Sequence, residues 1–152
     1  MIRRFAFEAD IFPTLEFVPL AVRRKLDRAG VKLGLEQWQA LGHGERLALC
    51  HLPANLPEEI EALRVFVREA AANRGAGELK LLDDTGEPAP ESLEEPPASL
   101  VRNAQGAGFQ LTREQWSRLD GDERYALVKL SGKTKPSHNF GNALAELIGQ
   151  RP

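Results

Sequence analysis

The sequence predicts an all-α protein made of two pseudo-equivalent copies of a helical unit, with about eight short helices in total. Three observations lead to this prediction: an internal repeat at an offset of 78 residues, apolar residues at helical spacing, and helix-capping residues at matching places in both copies. Residues 19–52 and 97–130 share 14 identities in 34 aligned positions, and the identities include both tryptophans. A repeat at a fixed offset predicts that one supersecondary unit occurs twice.

The composition is typical of a globular protein, because 42% of the 152 residues are hydrophobic and 28% are charged. We therefore expect a single domain, 1–152, with repeat halves 19–73 and 97–149 joined by an acidic linker, 74–96. The net charge of −2 argues against a nucleic-acid partner. Cys50 is the only cysteine, which excludes an internal disulfide, and no apolar run has the length of a membrane span. These features predict a cytoplasmic protein without nucleic-acid or membrane partners.

Apolar residues alternate with other residues in the N-terminal segment, at Phe5, Phe7, Ala9 and Ile11. The alternation predicts an extended N-terminal arm or a lone strand laid against the helices.

The first helix of each copy follows a proline suited to the first helical position, Pro19 or Pro97. It ends before a glycine suited to the position after the C-cap, Gly30 or Gly108.

The second helix of each copy carries the shared Glu-Gln-Trp sequence. In the second copy Thr112 is predicted as the N-cap, and Gln115 is spaced to complete a capping box. The same spacing recurs in the first copy. Each tryptophan, Trp38 or Trp116, is placed to pack on the leucine that precedes the cap, as in a hydrophobic staple. We therefore interpret both tryptophans as buried core residues rather than as ligand platforms.

The third helix of each copy begins with another predicted capping box, in which a glutamate follows the N-cap residue by three positions. The next residue is an arginine, Arg46 or Arg124, near the positive end of the helix dipole, where cations are mildly disfavoured. Another group must therefore hold each guanidinium. One interpretation is a salt bridge to Glu36 or Glu114 on the preceding helix; the alternative is recognition of an anion or a partner.

A fourth helix is predicted after each copy. The first of these runs from Pro57 to a terminating Gly75. The other has Ser137 as its predicted N-cap and Phe140 in its apolar stripe. Between the halves, residues 74–96 are rich in glycine and proline, and the stretch from 78 onward has seven acidic residues and one lysine. This composition predicts a loop or a mobile, solvated linker.

Residues with recognisable catalytic or ligand-binding patterns are few. The chain has no nucleophile elbow, no glycine-rich dinucleotide loop and no metal-ligand spacing of histidine and cysteine. We therefore predict no catalytic residues, no metal and no cofactor, and a non-enzymatic binding function. The alternative is an unrecognised enzyme, or a small-ligand-binding protein, with a site assembled from scattered residues. The candidate partner-binding residues combine cations and an amide near a helix N-terminus that favours anionic or carbonyl groups. They are Arg124, Lys129, His138, Asn139 and, in the first copy, Arg46.

Five segments of the chain also match a family pattern. They are FEAD at 7–10, VPLAVRRKLDRAGVKLGLEQW at 18–38, ERLALCHLP at 45–53, LTREQWSRLDGDERYALVKLS at 111–131 and SHNF at 137–140. The chain resembles the nitrate reductase-associated protein family, small bacterial proteins often encoded beside nitrate reductase and molybdenum-cofactor genes. The resemblance covers nearly the whole chain except 74–96. It implies a role in assembling or supporting assimilatory nitrate reductase, with the reductase or its molybdenum-cofactor insertion machinery as partner, and it implies no established catalytic residues.

Overall fold

In the computed structural model the chain forms two compact units, residues 1–85 and 86–152. The structure describes residues 4–82, 87–132 and 135–149. Eight α-helices and a small two-stranded sheet make up the regular structure of these ranges, together with two 3₁₀ helices. The predicted all-α class is therefore confirmed. The expectation that the chain is a single domain stays a prediction.

The first unit contains four α-helices and the sheet. The helices are α1 (Leu20–Arg28), α2 (Leu35–Ala40), α3 (His43–His51) and α4 (Pro57–Asn73). The antiparallel strands are β1 (Val31–Lys32) and β2 (Lys80–Leu81), and β1 packs against α1. The buried core of this unit is formed by apolar side chains from all four helices and from β1, and Trp38 lies within it with no exposed surface.

The second unit repeats this helical order without a sheet among its described residues. A 3₁₀ helix (Pro90–Ser92) precedes α5 (Ala98–Gly106), α6 (Arg113–Arg118), α7 (Gly121–Ser131) and α8 (Phe140–Leu147). The 3₁₀ helix, α5 and α8 all contact α7. Large side chains from four of the helices are fully or almost fully buried: Leu100, Trp116, Leu127, Phe140 and Leu144. This burial confirms Phe140 as a core residue.

α5, α6 and α7 begin 78 residues after α1, α2 and α3, respectively, so equivalent helices start at equivalent positions of the sequence repeat. The correspondence follows from local capping. Gln37 accepts a hydrogen bond from the backbone N–H of Gly34, and Gln115 accepts one from that of Thr112, each at 2.9 Å. The capping box of α6 is therefore confirmed, because Thr112 also accepts a hydrogen bond from the N–H of Gln115 at 3.1 Å. α2 forms only the glutamine half of its box, because glycine has no side chain to accept the second bond. Superposition of residues 19–52 on 97–130 stays a prediction.

The ends of the helices agree closely with the sequence prediction. Gly30 and Gly108 follow α1 and α5 with φ angles of +72° and +89°, values at which glycine carries no steric penalty. The preceding prolines, Pro19 and Pro97, are the N-caps rather than the first helical residues, a difference of one position. α4 begins at Pro57 as predicted.

The N-terminal segment is not extended, and the prediction of an arm or strand is wrong. Residues Ala6–Ile11 form a 3₁₀ helix in which Glu8 is buried. Its carboxylate accepts a hydrogen bond from the backbone N–H of Leu20 at 3.0 Å. The first N–H groups of a helix have no partner within the helix, so a carboxylate at the start of α1 stabilises it. A helical turn, rather than period-two alternation, brings Glu8 to this place.

The segment 74–96 is not a solvated linker throughout. Its first part forms β2, which pairs with β1 so that Leu81 lies opposite Val31. Its last part forms the Pro90–Ser92 helix, which packs on α7 and buries Glu91. Residues 83–86 lie outside the described ranges. The composition of the segment therefore did not indicate these two ordered elements, of which β2 is held by backbone pairing and the 3₁₀ helix by packing.

The start of α8 also differs from the prediction. The helix begins at Phe140, and Asn139, not Ser137, is its N-cap. The backbone N–H of Phe140 donates to the carbonyl of Ser137 at 3.0 Å, and the two residues between them form a turn. Ser137 therefore starts the turn that leads into the helix, and its hydroxyl accepts a 3.4 Å hydrogen bond from the N–H of Asn139.

The capping box of the third helix is confirmed at α7, and α3 forms the glutamate half of its box, because its N-cap glycine has no side chain. Glu45 accepts a hydrogen bond from the N–H of Gly42 at 2.7 Å, and Glu123 accepts one from that of Asp120 at 2.9 Å. Glu45 also pairs with Arg74, at the end of α4, over 2.9 Å. The Gly42 N–H and, after it, Arg74 hold the pKa of Glu45 below its ordinary value. Because the pKa of Glu45 is lower in the folded than in the unfolded state, its ionised carboxylate stabilises the unit at pH values above the unfolded-state pKa. This stabilisation is lost as the pH falls through the folded-state pKa.

Replacing Arg74 with alanine is expected to raise the pKa of Glu45 toward its ordinary value without reaching it, because the Gly42 N–H still donates to the carboxylate. An NMR titration of the Glu45 carboxyl carbon measures the change. Arg23→Ala, which removes an exposed arginine on α1, is the matched control and should leave this pKa unchanged. Equal titration curves for wild type and Arg74→Ala would contradict the role given to the ion pair.

Candidate functional site

Each unit contains a buried tryptophan that is anchored to a distant loop carbonyl. Trp38 and Trp116 have no exposed surface, which confirms them as core residues. The indole N–H of Trp38 donates to the carbonyl of Leu15 at 2.7 Å, and that of Trp116 donates to the carbonyl of Leu93 at 2.9 Å. Sequence reasoning missed these acceptors. A signal was available, because Leu-Glu occurs at 15–16 and again at 93–94, at the offset of the repeat.

The carbonyls of Leu15 and Leu93 also accept hydrogen bonds from the arginine at the equivalent position of each repeat copy. The guanidinium of Arg46 donates to the carbonyls of Thr14, Leu15, Gln39 and Leu41 at 2.9–3.4 Å. Gln39 and Leu41 are at the C-terminal end of α2, where carbonyls lack partners within the helix. The negative end of the α2 dipole therefore faces this cation and offsets the unfavourable start of α3.

Arg124 occupies the corresponding place in the second unit. Its guanidinium donates to the carbonyls of Trp116, Glu91 and Leu93 at 3.1–3.2 Å and lies 5.0 Å from the centre of the Trp116 ring. Within the described ranges no ion pair joins Arg46 to Glu36 or Arg124 to Glu114, so the salt-bridge interpretation is wrong. A guanidinium group has five N–H donors, and the end of a short helix with the turn after it presents several carbonyls. One arginine can therefore donate to several carbonyls instead of pairing with a glutamate.

A third set of contacts caps the C-terminal end of the third helix in each unit. The ammonium of Lys25, on α1, donates to the carbonyls of Leu49, Cys50 and Leu52 at 2.6–3.0 Å. At the corresponding position on α5, the amide of Asn103 donates to the carbonyl and hydroxyl of Ser131 at 3.2 and 2.9 Å. Sequence reasoning missed both residues, because a lysine and an asparagine at one repeat position do not indicate a shared role.

The structure separates the partner-binding residues that the sequence groups together. Arg46 and Arg124 are directed to backbone carbonyls inside their units. Lys129 and His138 are exposed; the Lys129 ammonium lies 5.6 Å from the centre of the Tyr125 ring. Asn139, the N-cap of α8, accepts a 3.4 Å hydrogen bond from the Asn142 side chain. Partner binding by these residues stays a prediction, with Lys129 and His138 the most accessible members.

A groove of about 850 Å³ lies along one face of α4 in the first unit, and we call it the α4 groove. It is lined by Glu61, Arg64, Val65, Arg68, Glu69 and Ala72 from α4, and by Gly75, Gly77, Glu78, Leu79 and Leu81. Val65 and Leu81 are 44% and 63% exposed, which is high for apolar side chains. The sequence did not indicate this groove, because β2 was not expected within the acidic segment.

The charged groups of the α4 groove differ in how they are held. Arg64 donates to the carbonyl of Ala29, at the end of α1, over 2.7 Å and also pairs with Glu61. Arg68, Glu69 and the Glu78 side chain are exposed, and within the described ranges they form no ion pair or side-chain hydrogen bond. The lining of the groove therefore combines exposed apolar side chains with charged groups of both signs, and we call these charged groups its rim.

These features define a class of small all-α protein with two units of similar helical order. In each unit an arginine, a tryptophan and either a lysine or an asparagine donate hydrogen bonds that hold loops and helix ends together. The chain belongs to the family described as conserved nitrate reductase-associated protein, whose model matches residues 4–147. The resemblance drawn from the sequence is thus confirmed. A search of curated proteins found no match, and a search of solved structures found none either. None of the described helices is both long and apolar enough to span a membrane.

Proposed function

We propose that this protein is a non-enzymatic, cytoplasmic factor that binds nitrate reductase, or the machinery that inserts its molybdenum cofactor, and so supports maturation of the reductase during nitrate assimilation. Membership of the nitrate reductase-associated family supports the link to the reductase. The binding role rests on the surface of the first unit and on the use that the units make of their polar side chains.

The observation that carries the proposal is the α4 groove. Val65 and Leu81 expose much of their apolar surface at one place, and burying such surface against a partner is favourable. In contrast, the partly buried cations Lys25, Arg46 and Arg124 donate to backbone carbonyls within their own units. Because these cations are bonded within the fold while apolar side chains are exposed in the groove, binding of a protein at the surface is favoured over an enzymatic reaction inside the units.

Deleting the gene in an organism that has the reductase is expected to lower nitrate reductase activity in cells without changing the amount of reductase transcript. The reason is that a maturation factor acts on the reductase protein after synthesis. Measurements of enzyme activity, molybdenum content of the purified reductase and transcript level distinguish this from a regulatory effect. Unchanged activity and unchanged nitrate-dependent growth in the deletion strain would rule out the maturation role.

The non-enzymatic part of the proposal has its own test. Purified protein added to an extract of the deletion strain is expected to restore reductase activity in proportion to the amount added, up to saturation near the amount of the reductase. A binding factor acts stoichiometrically, whereas an enzyme acts at amounts far below those of its substrate. Full restoration by a small fraction of the amount of the reductase would instead support the enzyme alternative.

A further inference from the structure

The outer edge of β2 has no backbone partner among the residues that the structure describes. In the β1–β2 ladder Val31 lies opposite Leu81, and the N–H of Leu82 donates to the carbonyl of Gly30 at 2.8 Å. This arrangement makes Val31 and Leu81 a non-hydrogen-bonded pair, so the N–H and C=O of Leu81 point away from β1. Across the part of the chain that the structure describes, neither group has a hydrogen-bond partner. An unpaired strand edge of this kind is a template for another strand.

The side chains of the same strand contribute to the α4 groove. Leu81 of β2 and Leu79, the residue before the strand, both line the groove, whereas Lys80 between them does not. Leu79 packs partly against the core of the unit, and Leu81 is largely exposed. Val65, on α4, lines the same groove. An open backbone edge and apolar side-chain positions therefore occur together.

The rim indicates what kind of chain fits. Arg68, Glu69 and Glu78 all line the groove, so neither a polyanion nor a polycation is matched to all of its charged groups. A nucleic acid or an anionic membrane surface is therefore disfavoured. An extended polypeptide with apolar side chains at alternate positions satisfies both features, because its backbone pairs with the strand edge and its side chains enter the groove.

We propose that β2 and the α4 groove bind an extended, apolar segment of the nitrate reductase apoprotein by strand addition, an inference that rests on the proposed function. The N–H and C=O of Leu81 pair with the backbone of the added segment. Its apolar side chains pack against Val65, Leu79 and Leu81. The first unit is then the contact surface, rather than the Lys129 and His138 region of the second unit.

The test measures binding of the full-length protein to reductase apoprotein purified from the deletion strain. Val65→Glu places a charge among the apolar side chains that line the groove, and Leu81→Pro removes the outward N–H without removing a hydrogen bond of the ladder. Each variant is expected to weaken binding at least about tenfold. The matched control is Leu47→Glu, because Leu47 is an exposed leucine of α3, 39% exposed, outside the groove. It should bind as the wild type does.

Two further measurements separate the outcomes. Hydrogen exchange of the Leu81 amide is expected to slow in the complex, a change that side-chain contact alone does not require. The Lys129→Ala, His138→Ala double variant is expected to bind normally. Circular dichroism checks that each variant is folded. If Leu81→Pro does not fold, the affinity of Val65→Glu and the exchange rate of the wild-type Leu81 amide test the proposal without it.

Each remaining result overturns the proposal in a distinguishable way. Wild-type affinity for Val65→Glu, with no slowing of Leu81 exchange, rejects strand addition and leaves the proposed function intact. Loss of binding in the double variant alone places the contact on the second unit. Self-association of the wild type that Val65→Glu abolishes, without any effect on reductase binding, makes a second copy the occupant. Failure of the wild type to bind the apoprotein rejects the strand-addition proposal together with reductase binding as the function.

Discussion

Replacing Trp116 with alanine is expected to lower the free energy of unfolding of the second unit by about 3–5 kcal/mol, the range for emptying a large aromatic site in a core. The side chain has no exposed surface, so its removal leaves a cavity. The change also removes the donor to the carbonyl of Leu93 and the ring beside the Arg124 guanidinium. Denaturant unfolding followed by circular dichroism measures the loss.

Two controls accompany this prediction. Trp116→Phe keeps an aromatic ring but loses the indole N–H, so it should cost less than the alanine variant. Arg118→Ala changes an exposed residue of the same helix and should change stability by no more than about 0.5 kcal/mol. In Trp116→Ala, Trp38 is the remaining tryptophan, so its fluorescence follows the first unit alone. A loss below about 1 kcal/mol in Trp116→Ala would show that the indole is not a core anchor.

Replacing Lys25 with methionine is expected to destabilise the first unit by about 2 kcal/mol, since hydrogen bonds to a charged donor contribute about 1.5–3 kcal/mol. The ammonium donates to the carbonyls of Leu49, Cys50 and Leu52, and methionine has a similar length but no donor. The three carbonyls at the end of α3 would then lose this partner. Denaturant unfolding followed by Trp38 fluorescence, in a Trp116→Phe background, measures the change.

A second readout comes from the neighbouring thiol. Burial raises the pKa of Cys50, and the positive charge of Lys25 opposes this increase. The pKa of Cys50 should therefore rise further in Lys25→Met, and the rate of thiol alkylation should fall at a given pH. Lys32→Met, which removes an exposed lysine of β1, is the control. Equal stability of Lys25→Met and Lys32→Met would reject the capping role of Lys25.

The ends of the helices could be predicted because capping is local. Gln37 and Glu45 each contact a backbone N–H only three residues away, so the residues that decide these helix starts are neighbours in sequence. Gly30 follows α1 at a positive φ for an equally local reason. Burial of Trp38 and Trp116 could also be predicted, since the staple pattern and the repeat agree.

Much of the candidate site could not be predicted, because its contacts join distant positions. Lys25 reaches carbonyls 24 to 27 residues away, and Arg46 reaches Leu15 across 31 residues. Leu15 itself has a φ of +52°, an uncommon conformation for a leucine, and its carbonyl accepts hydrogen bonds from both Arg46 and Trp38. Neither periodicity nor composition indicates which backbone carbonyls meet a given side chain.

The sequence by itself therefore determined the all-α class, most of the helix boundaries, the buried tryptophans and the family of this protein. These depend on helical periodicity, on caps within one turn and on the residues that the family shares. Only the tertiary structure decided that the N-terminal segment coils to bring Glu8 to α1, and that part of the acidic segment becomes β2 beside α4. It also decided that Arg46 and Arg124 hold backbone carbonyls rather than glutamates. The physical reason is that unpaired helix ends and strand edges are satisfied by whichever groups folding brings near them, irrespective of their distance in the chain.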